Sequence, residues 1–466
     1  MNIFVIEHYC MKRFLLTLTA FLFYVALNGQ SAISGSWWGS IVLGPQKLDV
    51  SFDIIVGDDG NLHGLMDVPE QGARGIPVRL EKVTPDSLEI DIPAIGARYA
   101  GVRTSEEMIE GSFKQNGMSL KLDLQPGKIK VDRPQTPKPP YPFFTEEVTF
   151  GNKAEGALLS GTLTYPLMHF RYPAGTIPVV LMVTGSGGQN RDEELFDHKP
   201  FAVIAYHLAL NGIATLRYDD RGVGKSTGSQ EGTTTLNNKA DADAGVEYLR
   251  SLGKFGKIGV LGHSEGGTIA FMMAADRSVD FIVSMAGAAA KGIDVLVGQN
   301  VAALKLKGLP DAVADNYGNA LRLVFNDRIS GIKVEDGVRY VDRLCLDNDI
   351  SLPAPLKDNL SQVAVAGGEW ITWFLSYDPS EAIRRIECPV FALNGSHDLQ
   401  VISKDNLAVI RDCLPGNSSD LVKEYESLNH MFQHCPYQSA LDYYSIEETI
   451  SEEVLNDIAA WIKSVK

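Results

Sequence analysis

The chain has 466 residues, 45% hydrophobic and 21% charged, the balance of an ordinary folded protein with room for two or more domains. Its 58 acidic residues exceed its 42 Lys and Arg, giving a net charge of −16. That excess argues against nucleic acid and against an anionic membrane surface as partners.

Lys12 and Arg13 follow Met11 and precede the apolar run Phe14 to Leu27. This order predicts a signal peptide over residues 1–29, cut near Gly29–Gln30, and therefore export to a periplasm or the exterior. Met11 is the more natural start, which makes residues 1–10 an upstream extension. The run is too short to cross a bilayer comfortably. Cys10 lies before it, so no lipobox follows, and no membrane anchor is expected. Downstream stand Cys345, Cys388, Cys413 and Cys435. Four cysteines in an oxidising compartment allow three pairings, and free buried thiols are an equal alternative.

Residues 30–131 read as short strands broken by turns, with hardly any helical period. Leu48 to Val56 precedes Gly57–Gly60, Ser87 to Ile92 forms another run, and Ser119 to Leu124 follows Asn116-Gly117. The pattern predicts a small all-β barrel or sandwich. Trp37 and Trp38 are adjacent, so on a strand they face opposite ways and one of them belongs to a core. Five prolines between Pro134 and Pro142 predict an extended interdomain linker over 132–144.

From residue 145 to 466 the texture changes to strands alternating with amphipathic helices, which predicts an α/β domain with a mainly parallel sheet. Strands are expected at Leu158–Tyr165, Ile177–Val183, Ile213–Tyr218, Ile258–Leu261, Phe281–Met285 and Val390–Asn394. Helices are expected near Phe201–Leu210, Ala240–Leu252, Gly267–Ala275, Leu407–Cys413 and Glu447–Val465. The interval of about 291–383 is too long for a connection and reads as an inserted, mostly helical cap.

Gly262-His263-Ser264-Glu265-Gly266 lies between an expected strand and an expected helix. That context makes Gly-x-Ser-x-Gly a nucleophile elbow, with Ser264 as nucleophile. A serine hydroxyl needs a base that a carboxylate orients, and in this topology both follow the serine in chain order. The exit loop of the strand Cys388 to Gly395 carries Asp398, and the exit loop of Leu421 to Glu426 carries His430. These are the expected acid and base; His397 and His434 are the rivals. The oxyanion hole should use the backbone N–H of Glu265 and one from Thr184–Gln189, with Ser186 preferred and Gly187 second. Gly222-Val223-Gly224-Lys225-Ser226 imitates a phosphate-binding loop, but Asp219 replaces its first glycine. His430 and His434 have zinc-ligand spacing without the accompanying glutamate, so no metal and no cofactor is expected.

Together these motifs resemble the α/β-hydrolase superfamily, and within it exported bacterial esterases grouped with serine aminopeptidases and dienelactone hydrolases. The matching pieces are Gly185–Gly188 with Asn190–Glu193, Arg217–Ser226, Gly262–Gly267, Leu393–Asp398 and Asn429-His430. The resemblance implies an α/β-hydrolase sheet with an inserted helical cap behind the small β domain, and Ser264, Asp398 and His430 as a triad. Thr184 departs from it, standing where many members carry histidine. The expected activity is hydrolysis of small carboxylic esters through an acyl-enzyme. The alternative is a serine exopeptidase that grips an α-amino group with acids of the cap such as Asp311, Asp315, Asp336 and Glu369. The acyl and alcohol groups and the oligomeric state are not legible. Trp370, Trp373 and Phe374 are aromatic candidates for a pocket wall, or for plain cap packing.

Overall fold

The computed structural model describes residues 33–43, 46–56, 61–71, 73–129, 131–173 and 175–465. The expected signal peptide with its cleavage point, and the turn Gly57–Gly60, lie outside them. The chain divides into two compact units, Met1–Asp132 and Arg133–Lys466.

The first unit is an antiparallel meander of eight strands paired in chain order, with a ninth pairing the first. Its strands are β1 (Gly35–Leu43), β2 (Gln46–Val56), β3 (Leu62–Val68), β4 (Ala73–Val83) and β5 (Ser87–Ile92). β6 (Ala97–Ser105), β7 (Met108–Gln115), β8 (Met118–Lys121) and β9 (Gln125–Pro126) follow. Side chains alternate as a half-buried strand requires: Leu88, Ile90 and Ile92 are buried, whereas Ser87, Glu89 and Asp91 are not. The segment before and within β9 closes the sheet. It pairs Trp37↔Pro126 and Trp38↔Gln125 on one side and bridges Ile109↔Leu124 on the other. The unit is therefore a barrel, a form that leaves few open edges. Trp37 lies in its core and Trp38 is half-buried. Tyr99 fills the centre beside Phe52, with ring centroids 5.4 Å apart, and the chain passes it as bare glycine backbone. A Cβ on Gly101 or Gly111 would stand 2.4 or 2.3 Å from the Tyr99 Oη.

The second unit holds eight strands: β10 (Thr145–Asn152), β11 (Ala157–Thr164), β12 (Val179–Val183), β13 (Ala214–Tyr218), β14 (Ile258–His263), β15 (Phe281–Met285), β16 (Val390–Gly395) and β17 (Leu421–Tyr425). Their order is β10-β11-β13-β12-β14-β15-β16-β17. The β10–β11 hairpin joins β13 antiparallel, and the six strands from β13 to β17 run parallel. β12, β14, β15 and β16 are buried along their whole length, which explains why they read as continuous apolar runs. One face is covered by α2 (Thr235–Ser251), α3 (Glu265–Ala275), α9 (Ser380–Ile383) and α10 (Ser403–Cys413). α1 (Pro200–Leu210) and α11 (Glu452–Ser464) cover the other.

Between β15 and β16 the chain forms α4 (Gly292–Leu306), α5 (Asp311–Ile329), α6 (Gly337–Asp347), α7 (Ala354–Val365) and α8 (Glu369–Ser376) before α9. Tyr317, Leu321, Phe325, Val341, Leu344 and Leu360 give these helices a core of their own, whereas Ala382 and Ile383 of α9 pack into the sheet core.

Several boundaries depart from the expected ones. α2 starts five residues earlier, at Thr235, where Thr234 and Asn237 form a reciprocal cap. α11 starts at Glu452 and not at Glu447. β8 stops at Lys121, after which Leu122 and Leu124 turn into the barrel core. The proline-rich segment is no free tether. Arg133 donates to the carbonyls of Ile446, Phe196 and Tyr444 at 3.0, 3.0 and 2.6 Å, and Gln135 bonds Ile450 at 2.7 Å. All four cysteines of the described residues are free thiols. No helix among the described residues is long and apolar enough to cross a membrane.

Gly111→Ala should destabilise the barrel by about 1–3 kcal/mol, since the buried Tyr99 ring has no room to yield. Urea unfolding of the full chain measures this; an unchanged midpoint would mean that the ring shifts freely.

Candidate active site

β14 ends at His263, level with Met285 of β15 and Leu393 of β16, so the loops that follow emerge together at the carboxyl edge of the sheet. Ser264 occupies the turn into α3 with φ 55° and ψ −118°. A non-glycine residue there stores on the order of 1–3 kcal/mol of strain. The surroundings enforce it. The Ser264 N–H donates to the Met285 carbonyl at 2.9 Å, and the neighbours must be glycine. A Cβ on Gly262 would lie 1.9 Å from the Gly266 carbonyl oxygen, and one on Gly266 would lie 2.1 Å from that of Val183. Ser264 is held half-exposed at the apex of the turn.

His430 and Asp398 meet, Nδ1 to Oδ2, at 2.7 Å, and both side chains are buried. The other carboxylate oxygen of Asp398 accepts the N–H groups of Gln400 and Val401 at 2.8 and 2.9 Å. Both carboxylate oxygens of the acid are thus engaged, and the imidazole is held through Nδ1. The rivals stand elsewhere. His397 bonds the Cys435 carbonyl at 2.9 Å, and His434 is exposed and paired with Glu448 at 2.9 Å.

The loop after β12 is fastened by carboxylates. The Thr184 hydroxyl and the Gln189 N–H donate to Asp220 at 2.9 and 2.8 Å, and the Gly185 N–H donates to Glu193 at 3.0 Å. Gly185 is committed to that bond, and Ser186 and Gly187 bulge outward as exposed residues between the two fastenings. Thr184, the departure from the expected histidine, serves as the anchor. Gly185 also passes close to Ser264: a Cβ on it would come 3.2 Å from that of Ser264. On the opposite wall the Glu265 carboxylate accepts from the Thr235 hydroxyl at 2.6 Å and from the Trp370 indole N–H at 2.9 Å.

Trp370 stacks on Phe374 with centroids 5.2 Å apart. Phe374, Trp373 and Trp370 share an apolar cluster with Ala288, Ala290 and Val401, which lie after β15 and beyond Asp398. The sequence Gly222–Ser226 wraps a carboxylate: Asp219 accepts the Lys225 N–H at 3.1 Å, and its carbonyl takes the Ser226 hydroxyl at 2.6 Å. Arg191 closes on the same Asp219 at 2.8 Å.

Two site residues had no assigned role in the sequence. His263 bonds Glu193 through Nδ1 at 2.9 Å and the His430 carbonyl through Nε2 at 3.0 Å. Burial alone would lower its pKa, but the Glu193 carboxylate and the His430 carbonyl outweigh that and raise it. Through its two nitrogens His263 ties the elbow to the loops that carry Glu193 and His430. Asn190–Glu193 is a visible motif, but its partner His263 lies 70 residues away.

A family model described as alpha/beta hydrolase fold matches residues 178–433. Esterase EstD of Thermotoga maritima is 23% identical over 312 residues, which is 65% of this chain and 65% of that protein, so less than two thirds of the relative is covered. Among solved structures, the Pyrococcus furiosus esterase Pf2001 is 16% identical, with a TM-score of 0.41 over 72% of this chain and 98% of its own. Est1E from Butyrivibrio proteoclasticus is 15% identical, with a TM-score of 0.40 over 68% and 97%.

Burial pushes the Asp220 carboxyl up to about 8, with Glu193 and Asp241 adding repulsion against the hydrogen bonds from Gln189 and Thr184. The unfolded chain titrates it near 3.9. A proton held more tightly in the folded state stabilises fully below about pH 4, and that contribution is lost as pH rises through about 8. Asp220→Asn has nothing to titrate, so its melting temperature should fall less between pH 6 and 9 than that of the wild type. Parallel curves for the two proteins would show that Asp220 does not change charge in this range.

Proposed function

The chain belongs to the α/β-hydrolase fold family, and on that premise we propose that it is a serine hydrolase cleaving carboxylic esters through an acyl-enzyme. The observation that carries the reading is the 2.7 Å His430–Asp398 pair beside a positive-φ Ser264 at the same edge of the sheet. Asp398 holds the His430 Nδ1–H, which fixes the tautomer with a free electron pair on Nε2. His430 Nε2 takes the Ser264 hydroxyl proton as Oγ attacks the ester carbonyl. The carbonyl oxygen becomes an oxyanion facing the N–H groups of Glu265 and Ser186, with Gly187 the second choice for the loop donor. Collapse expels the alkoxide, which leaves as the alcohol with the proton from His430. Water then repeats the cycle on the acyl-serine and releases the acid.

The disposition of the acids favours esters over peptides. An exopeptidase needs carboxylates free to hold an α-ammonium. Asp311 and Asp315 face Lys305, and Asp336 caps α6. Glu369 is exposed beside the Gly232 turn. Glu265 is close to the nucleophile, but Thr235 and Trp370 already donate to it. The name of the T. maritima relative supports the same choice. The basic–apolar N-terminal segment supports an exported enzyme.

Ser264→Ala should abolish hydrolysis of p-nitrophenyl esters and labelling by a fluorophosphonate. Asp398→Asn should stay folded and lose on the order of 10⁴ in kcat, because the base would adopt the wrong tautomer. Short-chain esters should exceed aminoacyl p-nitroanilides in kcat/KM by more than their difference in intrinsic reactivity. An anilide cleaved as efficiently, with activity lost on blocking its amino group, would make the exopeptidase reading the correct one.

A further inference from the structure

The acyl-transfer steps use only the backbone N–H of Glu265, yet its side chain is buried and hydrogen-bonded to two other segments. The residue is 2% exposed. Its Oε1 accepts from Thr235, the first residue of α2, and both oxygens lie 2.9 Å from the Trp370 Nε1 of α8. Burial raises its pKa, and hydrogen bonds from Thr235 and Trp370 partly offset that rise. One carboxylate therefore gathers the start of α3, the start of α2 and the inserted helices. The first of these carries the Glu265 N–H assigned to the oxyanion.

α8 is fixed at two further points. Phe374 packs with Ala288 and Val401, and a Cβ on Gly292 would meet the Phe374 carbonyl oxygen at 1.8 Å. The helix backbone thus has little freedom. Within it the Trp370 ring is oriented by its stack on Phe374 and by the bond from its N–H to Glu265.

We infer that Glu265 is a positioning residue whose carboxylate locks the start of α2 and the Trp370 indole to the nucleophile turn. The oxyanion donor that Glu265 carries and an aromatic wall for an apolar acyl group are thereby set as one unit. The inference rests on the reading of Ser264 as nucleophile. A carboxylate that served stability alone would leave turnover by the folded enzyme unchanged. A positioning carboxylate acts on the transition state, where a displacement of about 1 Å costs on the order of 10²-fold.

The test compares Glu265→Ala, Glu265→Gln, Trp370→Phe and the double variant Glu265→Ala/Trp370→Phe in the full chain. Two quantities are read: kcat and KM for p-nitrophenyl butyrate, and the rate of inactivation by a fluorophosphonate. Glu265→Ala should lower kcat and the inactivation rate together by about 10- to 100-fold, with KM changed less than about threefold. Glu265→Gln should recover most of this loss, since its amide oxygen still accepts from Thr235 and Trp370. Trp370→Phe keeps the ring but loses the donor and should show a smaller loss. The double variant should be no slower than Glu265→Ala, because both changes cut one linkage. Independent, multiplying effects would overturn the inference, as would a Glu265→Ala enzyme that melts earlier yet turns over normally. If Glu265→Ala does not fold, an unchanged inactivation rate in Trp370→Phe overturns it equally. A wild type that is labelled but prefers amides removes only the ester reading, and the coupling is still read from inactivation. A wild type that is not labelled removes the nucleophile and this inference with it.

Discussion

The rest of the second unit is arranged around a turn with no room in it. Between the end of β14 and the start of α3 the backbone reverses so tightly that Gly262, Gly266 and Gly267 each touch other main-chain atoms where a Cβ would be. This crowding is what keeps Ser264 at its unfavourable φ. An ordinary residue relieves such strain by relaxing, and here relaxation would push α3 out of its packing beneath β12 and β15. The fold energy of the sheet and α3 thus sustains the geometry of one side chain.

Around that turn the protein has buried an unusual number of carboxylates. Glu193, Asp219, Asp220, Asp241, Glu265 and Asp398 are all among the buried residues. Buried charge is costly unless it is paired or hydrogen-bonded, and each of these acids is used to hold something. Asp241 takes Arg221 at 2.8 Å, Asp219 takes Arg191, Glu193 takes His263, and Asp220 holds two points of the loop after β12. A carboxylate can accept several donors at once, which suits it to gathering loops that lack regular secondary structure. The acids explain how glycine-rich loops at the site are held in place without helices or strands of their own.

The legible features of the sequence were those whose cause is local. The elbow glycines, the fully apolar parallel strands and the apolar run before Asp398 are dictated by neighbours along the chain. Less legible was β10, where Thr145, Glu146 and Glu147 precede a buried Val148 and Phe150. Its edge position permits the polar start. The early start of α2 lay hidden in a polar stretch, Thr234 to Asn238, whose capping box looks like loop composition. Wholly unreadable were the contacts across long separations. Thr235, Glu265 and Trp370 converge from 30 and 105 residues apart, and none of the three carries a motif that names its partner. The barrel left a choice between two β architectures, because closure depends on Leu122 to Pro126 reaching both ends of the meander.

The fastening of Arg133 and Gln135 marks where the second unit begins. Arg133 covers the carbonyls of Phe196, Tyr444 and Ile446, and Gln135 serves both sides of the peptide at Ile450, just before α11. Proline composition alone would suggest cutting the chain anywhere from 132 to 144 to separate the two halves. A cut after 135 would strip four backbone carbonyls of these donors and loosen the entry to α11, which covers one face of the sheet. The second unit therefore starts at Arg133, and the proline run belongs to it.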